Sequence, residues 1–166
     1  MNAPTRRLSQ PEFIILVAFN FALVAFSIDS MLPALPEIAQ ALTPEAPNRA
    51  QLVLTSFVLG MGIGTLVTGP LSDTFGRKPV IFAGAVLFVI GALMAGQAQS
   101  LETMLASRLV QGLGVAGPRI VTLAIVRDQY EGRTMASIMS YAMMIFTLVP
   151  AVAPLLGSYV IAGFGW

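Results

Sequence analysis

The chain has 166 residues, of which 56% are hydrophobic and 10% are charged, and its formal net charge is +1. An ordinary soluble domain carries about 25% charged residues, and a soluble fold of this size must expose much of its surface to water, so this composition indicates a membrane protein. The sequence has no cysteine and no histidine, which excludes disulfides, thiolate metal sites and imidazole proton transfer.

Long apolar stretches follow one another along the chain. A membrane-spanning helix needs roughly 20 mostly apolar residues, and each stretch meets that length. No segment shows the alternation that is typical of a membrane barrel strand. We therefore predict an all-α fold, a polytopic helix bundle in a lipid bilayer, with spans at about residues 13–36, 50–72, 79–97, 101–126 and 135–162.

Cationic residues mark alternate ends of these spans. Such residues precede span 1, join spans 2 and 3, and join spans 4 and 5: Arg6, Arg7, Arg77, Lys78, Arg127 and Arg133. Because cytoplasmic loops carry an excess of Lys and Arg, we expect a multi-pass protein of a plasma membrane, the inner membrane of a bacterium, with its N-terminus in the cytoplasm. The odd number of spans and the end at Trp166 lead us to expect the front part of a larger bundle.

Span 1 carries an ionisable residue in the segment SIDSMLPALPEIA, residues 27–39. Asp29 lies seven residues before Pro36, hence about 10 Å from the outer end of a helix that continues to that proline. Ionisable residues inside a membrane are costly and are functional candidates by default.

The connection between spans 2 and 3 reads GPLSDTFGRKPV, from Gly69 to Val80. We expect Gly69 to permit close helix approach and Gly76 to supply a turn that other residues would resist. Asp73 is placed to pair with Arg77 or with the N-terminus of an opposing helix. A related order of residues recurs between spans 4 and 5, as Asp128, Gly132 and Arg133.

Span 4 contains the segment RLVQGLGVAG, residues 108–117. One helical face is polar at both ends with small residues between, and we predict that it lines a substrate cavity: Arg108, Gln111, Gly112, Val115 and Arg119. Two interpretations of Arg119 stay open. Either a helix outside this chain supplies a carboxylate for it, or its guanidinium is available to an anionic substrate.

Asp29 and Arg108 are expected at similar depth, because Arg108 lies seven residues after Leu101 in a span that runs the opposite way. We predict that they are partners, directly or through water. A conformational change that separates the two charges would change how strongly Asp29 holds a proton, so the pair is a candidate for proton coupling. The alternative is a static ion pair that holds helices 1 and 4 together.

Span 5 contains the segment APLLGS, residues 153–158. The face of interest adds candidates for the cavity wall, Met143 and Thr147, and small or helix-bending residues, Pro150, Pro154 and Gly157. Methionines recur every four residues at its start: Met135, Met139 and Met143. Thioethers bind Cu(I), but apolar packing is the simpler interpretation, and we predict no metal site.

These four segments resemble the major facilitator superfamily. The connection GPLSDTFGRKPV is similar to its G-x-L-x-D-x-x-G-R-K/R motif, with Thr74 where the family usually has a basic residue. SIDSMLPALPEIA resembles the end of helix 1 in the Bcr/CflA drug-resistance branch. RLVQGLGVAG resembles the R-x-x-Q-G-x-G motif of helix 4 in proton-linked members. APLLGS resembles the helix 5 antiporter motif G-P-x-x-G-G, with Ala153 and Ser158 in place of two glycines.

The resemblance implies the first five helices of a twelve-helix fold that is built from two halves with inverted repeats. It also implies a proton-coupled antiporter for multidrug efflux by alternating access, rather than an enzyme. Its partners would be a small-molecule substrate, protons, the bilayer and the C-terminal helices of the same transporter, with no cofactor and no nucleic acid. The connection would act as a cytoplasmic gate that latches the two halves through Gly69, Asp73, Gly76, Arg77 and Lys78.

Two other functions stay open at this point. An importer of a metal ion or metal chelate on the same fold would be favoured if Arg119 or the methionine series proved necessary. A non-transporting fragment or assembly unit would be favoured if no further helices complete the bundle.

Overall fold

The computed structural model describes residues 9–165, apart from the side chain of Phe164. Over that range the chain forms α-helices joined by short connections, and the all-α prediction is confirmed. Their bounds are α1 (Gln10–Asp29), α2 (Leu35–Leu42), α3 (Leu52–Phe75), α4 (Arg77–Ala95), α5 (Leu101–Gln129) and α6 (Gly132–Phe164). Arg6, Arg7 and Trp166, on which the predicted orientation partly depends, lie outside the described residues.

Five stretches of the described chain are long and apolar enough to cross a membrane. The first runs from Gln10 to Leu42 and combines α1, a 3-10 turn at Leu32–Ala34, and α2. The helix breaks before Pro33 and Pro36, residues that lack the N–H needed to continue a helical ladder. The continuous helix on which the predicted depth of Asp29 depended is therefore absent, because α1 ends at Asp29 itself.

Helix α5 is the most buried of the long helices, and small residues bring its neighbours close to it. Gly60 of α3 faces the backbone of Leu109, and Gly84 of α4 faces the backbone of Gly114, in each case with no room for a side chain between the helices. Small residues at such contacts allow membrane helices to pack backbone against backbone. Helices α3, α4 and α5 thus form one tightly packed unit.

Helices α1 and α6 pack together over the Gln129 end of α5. Their shared apolar cluster contains Phe13, Val17, Phe21, Val126, Ile138 and Ala142. The rings of Phe13 and Tyr130 lie 5.4 Å apart within this region. Large apolar side chains elsewhere on α4 and α6 are exposed, among them Phe82, Leu93 and Leu148. A lipid environment would cover such residues at no cost in free energy, which fits the predicted bilayer location.

Candidate functional site

The first part of the site is a charge cluster at the connection between α3 and α4. Helix α3 ends at Phe75 and α4 begins at Arg77, so Gly76 alone reverses the chain, with φ of 90°. This backbone conformation is one that residues with a side chain rarely adopt. The turn therefore places Arg77 beside the last residues of the helix that precedes it.

Arg77 makes three side-chain contacts in this cluster. Its guanidinium lies 3.0 Å from the carboxylate of Asp73 on α3 and 3.2 Å from that of Asp128 on α5. It also donates a hydrogen bond of 2.7 Å to the hydroxyl of Ser72. The predicted Asp73–Arg77 pair is thus present, and Asp128 is a partner that the sequence prediction did not include. One side chain joins the ends of three helices.

The other two members of the predicted gate make no such contacts. Lys78 is exposed and takes part in no ion pair among the described residues. Gly69 has open space where its side chain would be, so no helix of the described chain approaches it closely. The close contacts of α3 with α5 are made by Gly60 and Gly64, which lie earlier on α3.

The second part of the site surrounds Arg108 on α5. This side chain is only 6% exposed. Its guanidinium donates a hydrogen bond of 2.6 Å to the side-chain oxygen of Gln111 and a longer one of 3.5 Å to the carbonyl oxygen of Ser27 on α1. It also lies over the ring of Phe57 on α3, 5.7 Å from the centroid, and its Nε has no hydrogen-bond partner among the described residues. Arg108 thus links α1, α3 and α5 inside the bundle.

The predicted direct pair of Asp29 with Arg108 is not formed. Neither residue takes part in a salt bridge among the described residues, and Arg108 bonds to neutral acceptors instead. Near the end of α1 the guanidinium of Arg108 meets the backbone carbonyl oxygen of Ser27 instead of the Asp29 carboxylate. Asp29 is half-buried and takes part in no ion pair among the described residues.

A largely apolar cavity of about 410 Å³ opens beside Arg108. Helices α1, α4, α5 and α6 all contribute to its wall, which includes Phe26, Met31, Met104, Leu156 and Ile161. Arg108 is the only charged residue among its described lining. A small amphiphilic molecule would find apolar walls and one cation here, the combination that is usual for ligand pockets.

Other residues of the predicted cavity face have different surroundings. Gly112 packs against the backbone of Phe57 and Met61 on α3, and Val115 is completely buried. These two positions are helix contacts rather than cavity wall, so that part of the prediction is wrong. We inferred the cavity face from the polarity of α5 alone, but α3 packs over the middle of that face, at Gly112. Arg119 is half-buried, with its guanidinium 3.8 Å from the Met61 thioether.

Residues of the predicted face on α6 are divided between surface and packing. Met143 and Thr147 are exposed, and the Thr147 hydroxyl donates to the Met143 carbonyl oxygen within the helix. Helix α6 runs without interruption through Pro150 and Pro154. Gly157 packs against the carbonyl group of Ser30, the residue directly after α1, and also borders the cavity beside Arg108.

The methionine series at the start of α6 is not arranged as a common site. Met135 and Met139 pack against the apolar cluster that α1 and α6 share, whereas Met143 is exposed. Packing explains the first two residues, because the flexible thioether side chain fills irregular gaps in a core.

Comparison with known proteins gives a consistent result. Residues 17–166 match the Major Facilitator Superfamily. A bicyclomycin resistance protein homolog of Haemophilus influenzae is 36% identical over 154 residues. A chloramphenicol resistance protein of Pseudomonas aeruginosa is 35% identical over 162 residues, and a multidrug resistance protein MdtL of Klebsiella pneumoniae is 36% identical over 152 residues.

These matches cover most of this chain but a smaller part of each relative. They include 93%, 96% and 89% of the chain, respectively, and 38% of the length of each of the three relatives. The chain thus spans about two fifths of the length of the curated relatives that it matches.

Proposed function

The chain belongs to the major facilitator superfamily, and from this premise we propose that it forms part of a drug-efflux transporter that works by alternating access. The relatives named for bicyclomycin, chloramphenicol and multidrug resistance support this substrate class. The observation that carries the mechanism is the contact of Arg77 with Asp73 and Asp128. It holds the ends of three helices of one packed unit together at one membrane face, and its partly exposed charges can meet the remaining helices of the transporter as that face closes.

We place this face in the cytoplasm. Arg77, Lys78, Arg127 and Arg133 all lie at the same end of the helices, and cytoplasmic ends carry such an excess of cations. The N-terminus, which precedes α1 at this end, is then cytoplasmic as well. The host membrane in this proposal is a bacterial inner membrane, since the named relatives are bacterial.

The remaining helices of the transporter are proposed as a necessary partner. Alternating access requires a second group of helices against which this one can rock. The relatives are long enough to supply such a group, because the chain covers only 38% of their length. We therefore assign transport to the complete bundle of which this chain is one part.

Proton coupling is proposed at Asp29. Its carboxyl group is half-buried at the end of α1 and has no ion pair among the described residues, so it can exchange a proton without first breaking a salt bridge. Arg108 lies close by along α1, because it reaches the Ser27 carbonyl oxygen. A movement of α1 relative to α5 would change the distance between these two charges, and with it the proton affinity of Asp29.

Efflux of a cationic dye from cells tests the transport proposal. Cells that express the full-length transporter are loaded with tetramethylrosamine, and its loss is followed by fluorescence. We expect these cells to lose the dye faster than cells that carry Arg77→Gln, a variant that lacks the ion pairs with Asp73 and Asp128. Equal loss from the two cell types, or loss no faster than from cells without the transporter, would contradict the proposal.

A further inference from the structure

Arg119 is the second arginine within α5, and its side chain does not extend toward the membrane surface. Its guanidinium lies 3.8 Å from the sulfur of Met61 on α3. The backbone of Met61 packs beside Gly112, seven residues before Arg119, or about 10 Å along the helix. Arg119 therefore turns its charge back toward the middle of α5, away from the Gln129 end.

The contacts of this guanidinium leave most of its hydrogen-bonding capacity unused. Arginine carries five N–H donors, and a thioether sulfur is only a weak acceptor. The Met61 sulfur is the one hydrogen-bond partner that Arg119 has among the described residues. Arg108, three turns earlier on nearly the same face, differs in this respect because it has the oxygen atoms of Gln111 and Ser27 as acceptors.

No carboxylate of the described chain is placed to neutralise Arg119. The salt bridges among the described residues do not include it. All eight acidic residues lie near helix ends, in α2 or in connections: Glu12, Asp29, Glu37, Glu45, Asp73, Glu102, Asp128 and Glu131. A charge at this depth in a membrane protein is costly unless a partner of opposite charge is present or arrives.

We propose that Arg119 binds the anionic group of a transported compound, and that the substrates therefore include amphiphilic anions such as aromatic carboxylates. This inference rests on the proposed transport function, because it assigns the partner of Arg119 to the cargo. Three features support it: the charge is near the middle of the span, it is partly exposed, and its only described partner is a weak acceptor. A guanidinium suits this role because its N–H groups match the two oxygen atoms of a carboxylate.

Equilibrium binding of two dyes to the purified full-length transporter tests the proposal. Fluorescein is an anionic xanthene dye, and tetramethylrosamine is a cation with the same ring system, so the pair differs mainly in charge. Fluorescence anisotropy gives the dissociation constant of each. We expect Arg119→Gln to weaken fluorescein binding by about tenfold or more, the loss typical of a hydrogen-bonded charge. Tetramethylrosamine binding should change by less than about twofold.

Arg133→Gln is the matched control, because it removes an exposed arginine at the start of α6 and should leave both dyes unaffected. Unchanged fluorescein binding in Arg119→Gln would overturn the proposal. An equal loss of both dyes would also overturn it, since that result is expected if Arg119 pairs with a carboxylate of another helix. If the glutamine variant does not fold, Arg119→Met decides by the same criterion: a loss of fluorescein binding alone supports the proposal, and unchanged or equally reduced binding of both dyes contradicts it.

Binding is measured without transport, so the two proposals fail separately. Absence of dye efflux from cells contradicts the transport function, whatever the dyes do in the binding assay. If Arg119→Gln changes the binding of fluorescein and tetramethylrosamine equally, the anion site is contradicted, even in a protein that exports tetramethylrosamine.

Discussion

The guanidinium of Arg77 at the start of α4 lies 3.2 Å from the carboxylate of Asp128 near the end of α5. The two residues are 51 positions apart in the chain, yet the same guanidinium also holds Asp73, four residues before it. Three helix ends therefore depend on one side chain. Because this cluster lies at the surface and not in the packed interior, it is better suited to control a movement than to stabilise the fold.

Replacing Asp128 by asparagine tests that distinction. We expect a loss of stability of about 1 kcal/mol or less, since ion pairs between exposed side chains contribute little. Transport should fall several-fold, because the closed inner face loses one of its contacts. Thermal unfolding is measured on the purified variant in detergent, and dye efflux is measured on cells that express the same variant. Arg127→Gln, which removes a neighbouring exposed charge outside the cluster, is the control; an equal effect of both variants on efflux would contradict this role for Asp128.

The turn at Gly76 gives a second prediction. Gly76→Ala should destabilise the connection by about 1–3 kcal/mol, because its φ of 90° is strained for any residue with a side chain. Gly69→Ala is the matched control, as that glycine lies inside α3 with open space around it. The alanine there should be neutral or slightly stabilising. Unfolding temperatures of the two variants in detergent check the difference, and equal values would count against it.

Alanine substitutions at two glycines on α3 distinguish the effect of close helix packing from that of helix propensity. Gly60→Ala places a methyl group against the backbone carbonyl of Leu109, and we expect it to cost about 1–3 kcal/mol as α3 and α5 move apart. The added methyl group of Gly62→Ala meets no atom of the described chain within 4 Å, and the change should stabilise the helix by about 0.5–1 kcal/mol. Opposite shifts in unfolding temperature are therefore expected. A stabilising Gly60→Ala would show that the two helices are not in backbone contact at this point.

The hydrogen bond between Gln111 and Arg108 gives a fourth prediction. Gln111→Leu removes the nearer acceptor of a buried guanidinium, and the expected loss of stability is about 1–3 kcal/mol. Gln129→Leu, an exposed change on the same helix, should stay within about 0.5 kcal/mol of the original protein. Denaturant unfolding of both variants measures the difference. If Gln111→Leu proves as mild as the control, Arg108 must have another acceptor.

The features that were predictable from the sequence are those that depend on local order along the chain. The five spans follow from the length of the apolar stretches, which the bilayer thickness dictates. The Asp73–Arg77 pair follows from a spacing of four residues across a turn that Gly76 makes possible. The membership in the superfamily follows from short motifs that surround such residues.

The features that were not predictable depend on how helices are rotated against one another. Counting residues from a span end gave Asp29 and Arg108 a similar depth but no direction, and Arg108 bonds to the backbone carbonyl oxygen of Ser27 instead of to Asp29. Polarity along α5 likewise could not show that α3 covers Gly112. The sequence indicated Asp128 only through the similarity of Asp128, Gly132 and Arg133 to Asp73, Gly76 and Arg77. Its contact with Arg77 requires α4 and α5 to be packed as they are.

Proton-linked transport in membrane vesicles tests the central claim most directly. Inverted vesicles that contain the full-length transporter are given an inwardly acidic pH gradient, and tetramethylrosamine uptake is followed with the original protein and with Asp29→Asn. We predict uptake that stops when the gradient is collapsed and that is absent in the asparagine variant despite normal folding. Uptake that persists without the gradient, or that Asp29→Asn supports as well as the original protein, would contradict proton-coupled efflux through Asp29.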